Sequence, residues 1–541
     1  MSRITRSYQP AFELLEERIM LAAQPVVAIS GATEAQLGAQ TAITITFDNQ
    51  PDGSAGSQNG YAPYVDLVLP HNGADGAGVG STPPDQNDGI SFASASFLGQ
   101  SVSTTVLEFD ANGEAVHPFA RDATGALRVV KASDYGAGPG DQLVVLQLPF
   151  GSFTPEQTPA EITVQLDVSN LADVGTPLSI SAVGGFAYGR DALNNPTVDP
   201  PVLGAAATTA ITPTLATLSK SFSGDDGETT TGPNFPQFYL LNLDFATGQT
   251  LSDMVFRDSL PDGIVVTGTS IVSGPAGTIA LDPATNDLTV TYAGPIVGAA
   301  GTDVQVRVDF YVGQFLSPGD PATPVLDPAT GAPRAMENNL SVTATWTPID
   351  DRDPTTTVTI DPSGPENVFV ARALALQKHG LVDGGGAPQP GDTVHWTLSG
   401  EVSDYFSIDD AKVTDALSDG QSFVAASPVL TVNEGGVPVY TGAFDAANIT
   451  ATVNADGTTS LEFRVADELA LRGLDPTLTG GRDGVTAGAT TFAIAFDSHV
   501  NRFYADGAPL LQGDSISNQG SVGGLVAGSG AALSDGDSDT L

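Results

Sequence analysis

Asp258-Ser-Leu-Pro-Asp-Gly263 returns further along the chain as Asp415-Ala-Leu-Ser-Asp-Gly420. Reading outward from this phrase, the surroundings of the two copies also match. Upstream, a strand-like stretch ends in an acid, as Tyr239-Leu-Leu-Asn-Leu-Asp244 in one copy and Trp396-Thr-Leu-Ser-Gly-Glu401 in the other. Both acids lie 14 residues before the Asp that opens the phrase. Further upstream stand Leu218-Ser-Lys220 and Leu376-Gln-Lys378. A more diverged acid-ended strand, Ile43-Thr-Ile-Thr-Phe-Asp48, occurs earlier in the chain. A later strand recurs as Val164-Gln-Leu-Asp167, Val306-Arg-Val-Asp309 and Ile494-Ala-Phe-Asp497. Recurrence at several linked points implies tandem domains.

The 541 residues suggest three or four domains at about 150 residues each. Apolar residues make up 41% of the chain, enough to build cores, and 61 Gly and 38 Pro punctuate short Val- and Thr-rich runs. That pattern predicts strands joined by turns. Helical periodicity is confined to the first 25 residues and to Asp467–Gly473. The expected fold is all-β: tandem sandwiches after a short N-terminal helix. The predicted divisions are an N-terminal segment (1–25), module one (26–205), module two (206–364), module three (365–530) and an acidic tail or linker (531–541), read as though more chain followed.

Sixty-three acids against 19 bases leave a net charge of −44. Phosphate contacts need Lys and Arg, so nucleic acid is not an expected partner. No apolar run approaches the roughly 20 residues of a membrane span. The chain has no cysteine, which excludes disulfides, thiolate catalysis and Cys-zinc sites. If an exported fold of this kind is locked, another chemistry must do it.

Phe12-Glu13, followed by Leu15-Glu-Glu-Arg-Ile-Met-Leu-Ala22, resembles the LEPR-XLL motif at the N-terminus of large repetitive bacterial surface proteins. Glu17 departs from the family's proline and Met20 from its leucine. The resemblance implies an exported, surface-associated protein, and neighbouring modules of a longer chain are then natural partners. The repeated phrase resembles the DUF11-type repeat of bacterial surface proteins. In module two the matching residues are Lys220, Tyr239, Asp258 to Gly263, and Asn338 before Leu340-Ser-Val-Thr-Ala. In module three they are Lys378, Trp396, Asp415 to Gly420, and Asn518 before Gly520-Ser-Val, with Ser418 in place of proline. Module one matches only through Asp66-Leu-Val-Leu-Pro70. This resemblance implies immunoglobulin-like β sandwiches with a spacer or adhesive role.

Lysine occurs four times in the chain, and two of the four are Lys220 and Lys378. Period-two alternation puts Lys220 on the face of Leu218 and Lys378 on the face of Leu374 and Leu376. A lysine on a core face is costly without a partner. One chemistry uses such a lysine: desolvated and neutral, it attacks a nearby Asn carboxamide, and a buried protonated acid polarises the carbonyl. Asn338 and Asn518 are the expected acceptors, each four residues before a valine, with Asn339 a rival to Asn338. Asp244 and Glu401 are the expected acids, with Asp309 and Asp497 as alternatives. Alternation sets Glu401 opposite Val394, Trp396 and Leu398, on the solvent side unless a bulge intervenes. Module one is an internal control: Val26 to Ser30 stand where the lysine should be, and Thr176 stands in the Asn position. The competing reading is that both lysines snorkel to water and pair with acids.

No nucleophile elbow, phosphate loop or dinucleotide fingerprint occurs, and the five histidines lack metal-ligand spacing. An enzyme is therefore not expected. Asp110-Ala-Asn-Gly-Glu114 opens like a calcium loop, but Arg121 stands where the closing glutamate belongs, so a turn is expected. Ca²⁺ is the one cofactor the acidic runs Asp225–Glu228 and Asp535–Asp539 admit, held weakly. The leading expectation is a structural or adhesive module with internal cross-links. The alternative is Ca²⁺-assisted recognition of a surface glycan or protein by the loops Asn49–Gln58 and His71–Asp88.

Overall fold

A computed structural model of the chain describes residues 23–50, 59–73, 87–122, 124–188, 201–350, 354–362, 368–481, 488–511 and 513–541. The N-terminal motif, most of the expected helix, and the greater part of both module-one loops lie outside these residues.

Alternation of apolar and polar residues builds the sheets. Val304–Val312 and Gln237–Phe245 bury every second side chain, as a strand with one face on a core must. In module one the strands are β1 (Pro25–Gly31), β2 (Gln40–Asn49), β3 (Pro63–Leu69), β4 (Ile90–Phe97), β5 (Ser103–Glu108), β6 (Glu114–Arg121), β7 (Leu127–Lys131), β8 (Gln142–Gln147), β9 (Ala160–Val168), β10 (Leu178–Phe186) and β11 (Val202–Thr214). One sheet runs β1-β2-β9-β4 and the other β11-β10-β3-β8-β5, while β6 and β7 form a separate hairpin.

Module two contains β12 (Ala216–Phe222), β13 (Glu228–Thr230), β14 (Gln237–Phe245), β15 (Thr250–Ser259), β16 (Ile264–Ser273), β17 (Thr278–Asp282), β18 (Asp287–Thr291), β19 (Val304–Val312), β20 (Arg334–Met336), β21 (Asn339–Thr347) and β22 (Thr356–Ile360). Its sheets run β12-β14-β19-β16 and β17-β18-β15-β21-β22. Module three contains β23 (Phe369–Arg372), β24 (Leu374–Val382), β25 (Thr393–Val402), β26 (Ser407–Leu417), β27 (Val429–Glu434), β28 (Val437–Ala443), β29 (Ile449–Val453), β30 (Thr459–Arg464), helix α1 (Val465–Leu471), β31 (Thr490–Val500), β32 (Ser517–Val526) and β33 (Ala532–Thr540). Its sheets run β24-β25-β31-β27-β28 and β29-β30-β26-β32-β33.

The three strand orders correspond. In each module an edge strand (β1, β12 or β24) lies beside β2, β14 or β25, and the strand carrying the Asp phrase or its counterpart (β3, β15 or β26) lies inside the opposite sheet. The fold is all-β, a tandem array of immunoglobulin-like sandwiches. Module one shares it despite its poor sequence match.

The structure moves the expected boundaries. β11 runs across residue 205 and leads into β12 through the single buried residue Leu215. β23 lies after residue 365 in sequence but pairs with β13 and β20 of module two. Phe369 is fully buried and stacks on Phe222 at 4.7 Å between ring centroids, with Phe310 and Tyr239 close by. The stretch 531–541, expected as a linker, is mostly strand: β33 pairs with β32 from Ser517↔Thr540 to Leu525↔Ala532.

Candidate functional site: buried lysines between the sheets

Lys220 and Lys378 each sit on the first strand of their module and point inward. In module three the register places Lys378 beside Leu398, with Leu376 and Gly380 on the same inward face of β24. Its side chain is fully buried and paired with the fully buried side chain of Asp415. In module two the Lys220 side chain is 3% exposed, and its Nζ lies 2.6 Å from Oδ1 of fully buried Asp258. Each ammonium rests over aromatic rings. Lys220 is 4.2 Å from the Tyr239 centroid, and Lys378 is 5.1 Å from Trp396 and 5.5 Å from Phe496. Lysine and acid come from opposite sheets, so each pair spans the sandwich.

The Asn acceptors converge on the same points. In the β26–β32 ladder Asp415 pairs with Gly520, and Asn518 faces the core two positions away. In the β15–β21 ladder Asp258 pairs with Leu340, and Asn338 stands just before the strand on the same inward side. Asn338 and Asn518 are 2% and 1% exposed, and among the described residues neither carboxamide makes a hydrogen bond of normal geometry. Asn518 lies against the Asp415 carboxyl and Asn338 against the Tyr239 hydroxyl. The rival, Asn339, is exposed. Gly520 makes room for this packing, since a Cβ there would come within 2.5 Å of Leu398 and 3.2 Å of Leu376.

Burial governs the electrostatics. It pushes Lys220 down to about 8, against the opposing pull of Asp258, and pushes the Asp258 carboxyl up. Lys378 is likewise lowered by burial, with Asp415, Asp537 and Asp539 opposing. Asp415 is raised by burial, with Lys378 and Asn518 opposing. A low dielectric disfavours both charged forms, which drives the pair toward neutral amine and neutral acid.

The acids expected from the sequence lie elsewhere. Asp244 pairs in register with exposed Thr217, on the outer face of its sheet. Glu401 stands opposite Ala375 and accepts a hydrogen bond from Thr230 Oγ1 at 2.8 Å, at the junction with module two. Asp309 is bound to Arg307, and Asp497 to His395 Nδ1 at 2.8 Å, both on outer faces. Strict alternation puts all four on the side away from the lysines. The acids that meet the lysines, Asp258 and Asp415, open the repeated phrase. Their recurrence in the two modules whose edge strand carries an inward lysine was the sequence signal that could have identified them.

The rest of the phrase also has a structural role. Its closing glycines, Gly263 and Gly420, have φ of +94° and +89°, a backbone conformation that other residues rarely adopt. Ser418, in the proline position, accepts a hydrogen bond from Ser517 N at 3.1 Å and so fixes the residue before Asn518.

Among its described residues module one lacks the site. Aligned on Leu-Pro, Leu67 occupies the position of Asp258 and lies in the main core. Asp66, one residue earlier, therefore faces the opposite way. It is buried under the β6–β7 hairpin, paired with Arg128 and 3.1 Å from His117 Nε2. His117 Nδ1 accepts the N–H of Ala120 at 2.8 Å, so the proton sits on Nε2 and is donated to Asp66. Both imidazole nitrogens are thus engaged.

Elsewhere, the Asp110 carboxylate accepts the N–H groups of Asn112 and Glu114, each at 2.9 Å, as an Asx turn. A groove of about 510 Å³ on module three is lined by Lys412, Thr414, Arg464 and Ser521, and Arg464 is tied to Glu462 and Asp467. Among the described residues no helix is long and apolar enough to cross a membrane.

No protein family matches the chain, and no curated protein matches it. Solved structures similar to it include ACE19, the collagen-binding subdomain of the Enterococcus faecalis surface protein ACE, at 16% identity over 30% of this chain and 94% of that one, with a TM-score of 0.19. The collagen adhesin CNA of S. aureus is 12% identical over 60% of this chain and 94% of that one, with a TM-score of 0.18. BcpA, the major pilin subunit of Bacillus cereus, is 10% identical over 60% and 68%, with a TM-score of 0.20. Likenesses this distant leave function to be argued from the geometry.

Proposed function

We propose that the chain is a non-enzymatic spacer and adhesive module of an exported bacterial surface protein, with modules two and three each locked by a Lys–Asn amide. What supports this reading is that, at equivalent points of two modules, a buried lysine side chain meets a buried acid, with a buried carboxamide at hand, against the acid for Asn518 and against the Tyr239 hydroxyl for Asn338. An ion pair alone would be an expensive way to fill a core, because removing both charges from water offsets much of their attraction.

The chemistry balances without a cofactor. A proton passes from the lysine ammonium to the Asp258 or Asp415 carboxylate, leaving a neutral amine beside a neutral acid. Nζ attacks Cγ of Asn338 or Asn518 while the acid hydrogen-bonds the carboxamide oxygen. The tetrahedral intermediate expels the carboxamide nitrogen, which leaves as ammonia after taking a proton, and the acid shuttles the protons between the two nitrogens. The product is a secondary amide joining the first strand to the penultimate strand, across both sheets. In a chain with no cysteine, this supplies the locking that disulfides provide elsewhere. Turnover is not part of the reading, since each lysine is consumed once.

Intact mass of the full chain tests it. The expected result is a loss of two ammonia molecules relative to the sequence mass, with Lys220→Ala and Lys378→Ala each abolishing one loss. A mass equal to the sequence mass overturns the proposal.

A further inference from the structure

Lys378 lies on an edge strand. β24 pairs with β25 on one side only, and its outward N–H groups need acceptors. They find them on β33, in side chains rather than main chain. Leu376 N donates to Asp535 Oδ2 at 2.8 Å, Lys378 N to Asp537 Oδ2 at 2.6 Å, and Gly380 N to Asp539 Oδ2 at 2.8 Å. Alternate acids of Ser534-Asp-Gly-Asp-Ser-Asp-Thr540 thus meet alternate amides of β24 in step. Leu533 and Leu541 pack against the core at either end of this comb.

The other side of β33 is conventional. Its main chain forms an antiparallel ladder with β32, the strand that carries Asn518, and Asn518 itself pairs with Asp539. β33 therefore grips the two strands that hold the reacting groups, one by its backbone and the other by its carboxylates. Module two closes differently. β22 pairs with β21, and Pro362 bridges main chain to main chain with Leu218, beside Lys220.

We infer that β33 is the positioning strand for the Lys378–Asn518 bond, with Asp537 and Asp539 holding the β24 backbone so that the lysine reaches the carboxamide. The inference rests on the cross-link reading above. Asp537 and Asp539 touch neither reacting atom, so they act through the placement of Lys378. Their charges work against the reaction, because negative groups near the amine favour its protonated form. Acceptor geometry and charge therefore have opposite effects and can be separated. The surrounding charged groups are Arg372, 2.8 Å from Asp535; Glu228 beside Asp535; Asp226 beside Asp537; and His379, 3.6 Å from Asp539.

The experiment follows ammonia loss by mass in the full chain after cell-free synthesis, with peptide mapping to assign each bond. Asp537→Ala/Asp539→Ala should slow formation of the Lys378–Asn518 bond about 10²-fold, the usual cost of a misplacement near 1 Å. The Lys220–Asn338 bond should form as in the parent. Asp537→Asn/Asp539→Asn keeps an acceptor oxygen at each position without the charge, and should form both bonds at least as fast as the parent. Parental rates in the alanine variant overturn the inference and leave the cross-link reading standing. Loss of both bonds in that variant, or equal slowing in the asparagine variant, also overturns it. A parent chain that loses no ammonia overturns the cross-link reading, and the inference with it.

Discussion

Lys378 and Asp415 approach each other from opposite sheets of one sandwich, both side chains sealed from solvent, with the Asn518 carboxamide against the acid. The same lysine–acid pairing joins Lys220 to Asp258 in the preceding module, where the Asn338 carboxamide lies against the Tyr239 hydroxyl instead. The acid thus comes from the phrase that repeats, rather than from the strand end that also repeats.

This assignment separates two sets of acids. Asp258→Ala should abolish the Lys220–Asn338 ammonia loss, and Asp415→Ala the Lys378–Asn518 loss. Asp244→Ala, Glu401→Ala, Asp309→Ala and Asp497→Ala should leave both intact. Intact mass of the six variants checks the prediction, and persistence of a bond without its Asp would refute the shuttle role.

Stability should follow the fate of the buried charge. The proposed Lys378–Asn518 bond would close a loop of 518 − 378 = 140 residues, so Asn518→Ala should cost about 5 kcal/mol by the loop-closure estimate for a covalent tie. Lys378→Ala loses the same tie and also strands Asp415, adding about 3–5 kcal/mol. The double variant Lys378→Met/Asp415→Leu should recover most of that second cost. Urea unfolding of the three variants provides the comparison.

The junction between modules two and three should weaken at alkaline pH. Glu228 is pushed up to about 8, first by burial and then by Asp535 beside it, with Arg372 opposing. A carboxyl raised in the folded state binds more protons folded than unfolded. Its environment is therefore least costly below the ordinary value of 4.5, and stability falls as pH rises from there to about 8. Glu228→Gln should flatten this slope. Unfolding midpoints at about pH 5 and about pH 9 for parent and variant would reveal it.

Phe369 follows the expected module boundary in sequence yet belongs to the core of module two. Phe369→Ala should cost about 3–5 kcal/mol, as large aromatic truncations in cores do. The loosening should show as faster hydrogen exchange in β12, β14 and β19. Exchange confined to module three would contradict the assignment.

Much of the fold is legible in the sequence. The alternation in Val304–Val312 and the glycine-rich turns predict strands, and the recurring phrase predicts repeated modules. The lysines were legible because a scarce polar residue on an apolar face stands out. The acid was not. A four-residue frame such as Asp-x-Leu-Pro reads equally well as turn chemistry, and only the second sheet, folded over it, shows that its first residue points at an amine. Module one makes the same point, since a one-residue offset sends Asp66 to the other face, toward Arg128 and His117.

Composition and periodicity alone determined that this chain is all-β, modular, strongly acidic and without cysteine, because those properties are local or additive along the chain. Which acid meets which lysine, where one module ends, and whether the Asp-rich stretch near Thr540 is linker or strand were decided only by tertiary structure. The reason is physical. A strand's own pattern specifies which side chains face inward, but the groups that wait there come from a different sheet more than thirty residues away, brought in by packing.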